Sequence, residues 1–379
     1  MTPRFRLSIL GCSHFCVDSY ATMLAPVLPL INERHGLSLA MAGFLGMIPA
    51  ICNVTQPLMG IWGDRMSSRA LITFGALMAA VFIPLLGIAP NFPTLAGVLL
   101  LGGIGVAAFH PQSFSLVGEI SSASRATGIA VYAFAGTIGI GFTPLWMPLF
   151  VENFGLQFLS FASVPGIIFA ALVGIFVTNR KKSTANREAP AGFGALRGSE
   201  AVLALITVVV ILRTVTFVGF GFFLTQLGRE RGLTLVEGGI PLAVYNLAGV
   251  TGSLFLGMLA DRWNTRIIVL VSIFIACPAL LAYLQSEGPI SYLWLVVGGI
   301  GIMGSNAILV AVAQEIAPGN VGFASSLPLG FSWGLASLSL PLIGYLGDHI
   351  GIAGALHYLA LLPLVTVSLA VFLPFRCKE

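Results

Sequence analysis

Charge is what this chain has least of. Asp, Glu, Lys and Arg make up 8% of its 379 residues, against 57% hydrophobic ones. Mean hydropathy is +0.98. A soluble globular domain carries ~25% charged residues, so a water-soluble fold is excluded. Long polar stretches are also missing, except over residues 179–199, so no appended soluble domain is expected. No G-x-x-x-x-G-K-[S/T] phosphate loop occurs, so ATP is not an expected partner and any work must be drawn from a gradient. The ~10-residue alternating segments of a membrane β-barrel are absent too. The five cysteines, Cys12, Cys16, Cys52, Cys277 and Cys377, show no spacing suited to a disulfide or a zinc site. No metal and no cofactor is expected, and the net charge of +4 carries no sign of a nucleic-acid partner.

What is present is a series of apolar runs. Twelve can be separated, near 7–31, 38–62, 70–90, 92–117, 126–152, 157–178, 200–227, 234–259, 266–286, 290–316, 321–346 and 352–375. Each approaches or exceeds the ~20 residues a helix needs to cross ~30 Å of hydrocarbon. They are numbered here as spans 1 to 12. The expected fold class is therefore an all-α, twelve-helix membrane protein. Arg4 and Arg6 precede the first run, but its length and its His14, Asp18, Pro26 and Pro29 make a retained helix the expectation rather than a cleaved signal.

The runs repeat. Gly102-Gly103-Ile104-Gly105 recurs as Gly298-Gly299-Ile300-Gly301, and Gly36-Leu37-Ser38-Leu39 as Gly232-Leu233-Thr234-Leu235, each 196 residues on. Asp64-Arg65 and Asp261-Arg262 lie 197 apart. A duplication of this size predicts two pseudo-symmetric six-helix bundles, 1–178 and 200–379, joined by a basic linker over 179–199. Since one chain holds both bundles, a working monomer is expected. Of the 18 Lys and Arg, fourteen fall on the side that holds the termini; only Arg34, Arg229 and Arg231 fall on the other, and Arg213 lies inside a span. Positive charge stays in the cytoplasm, so both termini are expected there, in an inner-membrane, multi-pass protein.

Ionisable groups inside a span cost roughly 2.5–3.5 kcal/mol each at the helix centre and are functional candidates by default. His14 and Asp18 lie four apart in span 1 and share a face. His110 lies in span 4 and Arg213 in span 7. By the repeat offset Asp18 corresponds to Thr214, and His110 to Asn306 in span 10. Histidine changes charge between about pH 5 and 8, so His14, His110 and Asp18 are the expected proton-coupling residues. Arg213 and Asn306 are expected substrate contacts, with Asn53 and Gln56 of span 2 and Tyr245 and Asn246 of span 8. Asp18 and Arg213 are expected to interact directly, or through water or substrate. Glu119 and Glu315 end spans 4 and 10 and are assigned to a gate, the first with Arg125.

Gly60-Ile61-Trp62-Gly63-Asp64-Arg65 with Arg69, and Gly257-Met258-Leu259-Ala260-Asp261-Arg262 with Arg266, follow spans 2 and 8. This pair resembles the duplicated G-x-[LW]-[AG]-D-R loop of the major facilitator superfamily. Ser13-His14 with Asp18, Phe109-His110-Pro111 and Arg213 are similar to the fosmidomycin resistance group within it. Gln112 stands where that group carries Glu, and Thr143 replaces a glycine in the Gly136, Gly139, Pro144 pattern of span 5. The resemblance implies alternating access by two rocking bundles, with spans 1, 4, 7 and 10 lining a cavity. It also implies that Asp64, Arg65, Arg69, Asp261, Arg262 and Arg266 latch the cytoplasmic gate. The function expected is proton-coupled export, by antiport, of drugs or small anionic or zwitterionic metabolites, with no enzymatic activity. The alternatives are a proton symporter importing a small carboxylate or sugar and, from another class, a membrane sensor or lipid-modifying enzyme.

Overall fold

Inside hydrocarbon a backbone finds no water to bond, so it must bond itself. Among the residues described by the computed structural model (2–56, 58–59, 68–121, 125–177, 199–317 and 321–375) the regular structure is helix throughout. Ten helical stretches are long and apolar enough to cross a membrane, and Leu39–Thr55 is a shorter apolar one. The last of the ten, Ala324–Ala370, is 47 residues long, far more than one crossing needs. It is broken at Gly351, whose φ of 77° and ψ of 153° are not helical, so it makes two passes. The twelve runs are thus recovered as helix, with altered ends. Residues 179–198 of the linker and the loop carrying Asp64 and Arg65 lie outside the described residues.

Span 1 is two helices, α1 (Pro3–Ala21) and α2 (Leu24–His35). The break has a local cause. Pro26 has no N–H for the carbonyl four residues back, and its ring crowds that carbonyl. The Thr22 hydroxyl turns inward instead and donates to the carbonyls of Asp18 (3.0 Å) and Ser19 (3.2 Å). Span 2 is α3 (Leu39–Ile51) and span 3 is α4 (Ser68–Phe82). Spans 4 to 6 are α5 (Phe92–Ile120), α6 (Arg125–Phe154) and α7 (Ser163–Phe176). In the second half, α8 (Glu200–Glu230), α9 (Leu235–Ala260) and α10 (Thr265–Gln285) are continuous. Span 10 is split at Ser305 into α11 (Pro289–Gly304) and α12 (Asn306–Ile316). Short pieces α13 (Val321–Ser326) and α14 (Ser332–Ser337) flank a π-turn at Leu327–Phe331 and lead into α15 (Ser339–Ala370).

Packing repeats along with sequence. A methyl group on Gly102 would strike the side chain of Ile83, and one on Gly298 that of Leu280, 197 positions after Ile83. On Gly103 it would come within 2.7 Å of the Pro49 backbone, and on Gly299 within 2.7 Å of the Tyr245 carbonyl, 196 positions after Pro49. Small residues let helices approach this closely where lipid offers no hydrophobic drive.

By compactness the chain divides into two units. One holds residues 1–182 together with 225–243, and the other 183–224 together with 244–379. The last turns of α8 and the start of α9 therefore belong with the first unit. There Arg229 Nε donates to Glu33 Oε1 at 2.7 Å, Asn32 donates to Gln226 at 3.3 Å, and Thr225 donates to the Ala25 carbonyl at 2.6 Å.

Candidate functional site

In the first unit, three sequence-predicted residues come together. His14 and Asp18 occupy successive turns of one face of α1, and His110 reaches them from α5. His14 Nε2 lies 3.2 Å from Asp18 Oδ2, and His110 Nε2 lies 3.0 Å from Asp18 Oδ1. Each ring is fixed from behind. His14 Nδ1 is 2.8 Å from the Tyr132 carbonyl of α6, and His110 Nδ1 is 2.8 Å from the Val106 carbonyl of its own helix. A carbonyl oxygen only accepts, so both Nδ1 atoms carry hydrogen. A neutral ring then turns a bare Nε2 lone pair toward the carboxylate. Two lone-pair-to-lone-pair contacts at this distance are repulsive unless a positive charge lies in each. Zero, one or two shared protons give the trio a net charge of −1, 0 or +1, since the carboxylate contributes −1 and each proton +1. The three side chains form a cage in which mobile positive charge can sit.

Aromatic rings wall the cage. Tyr132 stacks on His14 with centroids 4.2 Å apart, and Phe114 meets the same ring edge-on at 5.5 Å. The side chains of His110 and Asp18 keep 19% and 12% of their surface open, which leaves a way in for small ions. The floor is Gly136 of α6. A Cβ there would collide with Asp18 Oδ2 and lie 2.6 Å from His14 Nε2. Gly139, one turn on, admits the Phe15 carbonyl in the same way. The sequence showed these glycines as a family pattern; that one of them makes room for the carboxylate follows only from the packing of α6 on α1. Tyr132 was missed, because a backbone carbonyl leaves no trace in the sequence.

In the second unit Arg213 of α8 is fully buried. Its Nη2 donates to Asn306 Oδ1 at 2.8 Å and Thr214 Oγ1 at 3.2 Å, and its Nη1 lies 3.4 Å from the Ile302 carbonyl and 2.9 Å from Met303 Sδ. Asn306 can reach it because span 10 breaks at Ser305. All four partners are neutral, and Nε has none. Tyr245 stacks on Phe217 at 5.0 Å, one turn from Arg213, and its buried hydroxyl is unpartnered, as is that of Ser305. The two units thus use equivalent positions. Asp18 with His110 in one corresponds to Thr214 with Asn306 in the other, the latter pair holding the arginine.

Asp18 and Arg213 each have partners within their own unit. Asn246 is buried in α9, while Gln56 donates to Asn53 at 2.9 Å, so those two are bonded to each other. Of the expected gate residues, Asp64 and Arg65 lie outside the described residues, as does the side chain of Arg125. Arg69 stands at the start of α4. Asp261 and Arg262 are exposed in the turn after α9, and Glu119 and Glu315 are exposed near the ends of α5 and α12. Arg266 donates to the Val371 carbonyl at 3.0 Å, tying the start of α10 to the end of α15.

Known proteins share this chain's pattern over nearly its full length. It is 24% identical to an uncharacterized MFS-type transporter, YfnC, of Bacillus subtilis (strain 168), covering 97% of this chain and 92% of that one. It is 22% identical to the fosmidomycin resistance protein of Escherichia coli (strain K12), again over 97% and 92%. The crystal structure of a bacterial homolog of the human lysosomal transporter Spinster, inward-facing and occupied, matches with a TM-score of 0.81 at 15% identity, covering 99% of this chain and 98% of that one. The family model described as Major Facilitator Superfamily matches residues 10–337, and the chain belongs to that superfamily of multi-pass membrane transporters.

Proposed function

We propose that the protein is a proton-coupled secondary transporter of the inner membrane, both termini cytoplasmic, that exports drugs or small anionic or zwitterionic metabolites by antiport. One observation carries the reading: a carboxylate whose two histidine contacts call for mobile positive charge, Asp18 with His14 and His110. Such a carboxylate can hold protons or a cationic group of a substrate, but not both, and mutual exclusion is the condition for exchange. Arg213 supports the anionic part of the reading. A buried guanidinium without a carboxylate partner is several kcal/mol less favourable than a paired one, and an anionic ligand supplies the missing charge. Asn306, Tyr245 and Asn246 are the substrate contacts proposed beside it, with Asn53 and Gln56 as further polar positions. The name of the fosmidomycin resistance relative supports export. Asp261, Arg262 and Arg266, with Asp64, Arg65 and Arg69, are proposed to latch the cytoplasmic side, with Glu119 and Glu315 nearby. The chain is proposed to work as a monomer, without ATP.

Membrane vesicles with an imposed pH gradient test this. Asp18→Asn and His110→Ala are expected to cut gradient-driven flux ~10-fold or more, the effect of losing ~1.5–3 kcal/mol of hydrogen bonding to a charge. Substrate-for-substrate exchange without a gradient should survive in His110→Ala, which separates lost coupling from lost folding. Unchanged gradient-driven flux in both variants would show that the coupling site is elsewhere.

A further inference from the structure

The cage has the features of a metal site as well. His14, Asp18 and His110 each offer a ligand atom, and these atoms all lie within 4.8 Å of one another. The rings are already oriented for it. Metal-bound histidines usually donate their second nitrogen to a carbonyl or carboxylate, which fixes tautomer and direction. Here both Nδ1 atoms meet backbone carbonyls, at 2.8 Å each, and both Nε2 lone pairs face Asp18.

The spacing fits a particular ion class. Two ligands at ~2.0–2.1 Å from a tetrahedral ion stand ~3.4 Å apart. The Nε2-to-carboxylate distances are 3.2 Å to Oδ2 and 3.0 Å to Oδ1, and no two of the three ligand atoms are more than 4.8 Å apart, so side-chain adjustment of up to about 1.5 Å along the widest edge would seat an ion. Two imidazoles and one carboxylate suit zinc and its first-row neighbours, whereas calcium and magnesium require oxygen ligands throughout. Gly136, without a side chain, leaves the floor clear, and the partial exposure of His110 and Asp18 leaves an approach.

We propose that His14, Asp18 and His110 form a binding site for one divalent transition-metal ion of the zinc class, with a fourth position open. This shares residues with the proposed proton cage but stands on the ligand geometry alone. Binding can be present whether or not flux is proton-coupled.

The test uses the full chain, purified in detergent without a histidine tag. Zn2+ is titrated by calorimetry, and Co2+ by its visible absorption, whose intensity reports a four- or five-coordinate nitrogen–oxygen site. One ion per chain is expected in the wild type. His14→Gln and His110→Gln should each weaken it by at least ~100-fold, since even outer-shell changes cost 10–100-fold. His349→Gln, at an exposed position of α15, should leave it unchanged. No saturable site in the wild type, a six-coordinate cobalt spectrum, or wild-type affinity retained in the two cage variants would overturn the proposal. The wild-type stoichiometry and spectrum decide it even if a variant fails to fold.

Discussion

At the scale of single residues, the polar groups of this protein are ordered by what stands behind them. His14 and His110 are useful because Tyr132 and Val106 hold their far nitrogens. Arg213 is held by neutral groups that satisfy its geometry but not its charge. The strictest constraint falls on a residue with no chemistry. Gly136→Ala sets a methyl against Asp18 and His14, and overpacking of this kind costs ~1–3 kcal/mol. The expected outcome is a lower thermal midpoint together with loss of gradient-driven flux. Gly97→Ala, where a Cβ meets open space, should change neither. At Arg213 the test is charge against shape. Arg213→Lys keeps the charge but loses the fork that serves Asn306 and Thr214 together. Ligand-induced thermal stabilisation by an anionic substrate should fall in Arg213→Lys and vanish in Arg213→Ala. Equal stabilisation in all three proteins would remove Arg213 from the site.

At the scale of helices, two breaks fall beside the buried polar groups. Span 1 breaks four residues after Asp18, at a turn stabilised by Thr22. Span 10 breaks at Ser305, beside Asn306. Interrupted helices are how transporters bring polar groups and free backbone to mid-membrane depth. The break at Gly351 has another role, reversing the chain between the last two passes. Its φ of 77° with ψ of 153° is a region essentially reserved for glycine and costs other residues ~1–3 kcal/mol. Gly351→Ala should therefore lower thermal stability measurably while leaving ligand-induced stabilisation intact. An unchanged midpoint would mean the turn relaxes freely.

At the scale of the whole molecule, duplication supplied two copies of one framework that then diverged in charge. Glu33 and Arg229 show it directly. They are repeat counterparts, 196 positions apart, and they meet as an ion pair at 2.7 Å. Identical residues there would have repelled. Because the two side chains are 50% and 51% exposed, the pair is worth only ~0.2–1 kcal/mol. Glu33→Arg or Arg229→Glu alone should thus lower the thermal midpoint slightly, and the double reversal should restore it, more fully at low salt than at high. A double variant worse than both singles would argue against pairing in the membrane.

Twelve membrane-length helices, their duplication and the short roll of intramembrane polar residues were legible in the chain itself. Each follows from the cost of exposing backbone or charge to hydrocarbon, a rule that acts on composition and spacing. That His14 and Asp18 share a face was also legible, because helical period settles it. Tertiary structure alone decided that His110 completes the cage, that Gly136 is its floor, and that Arg213 turns to Asn306 and Met303. These depend on which helix lies against which, and on carbonyls that every residue carries alike. Sequence thus selected the groups too costly to be present without a use, and packing decided which of them face one another.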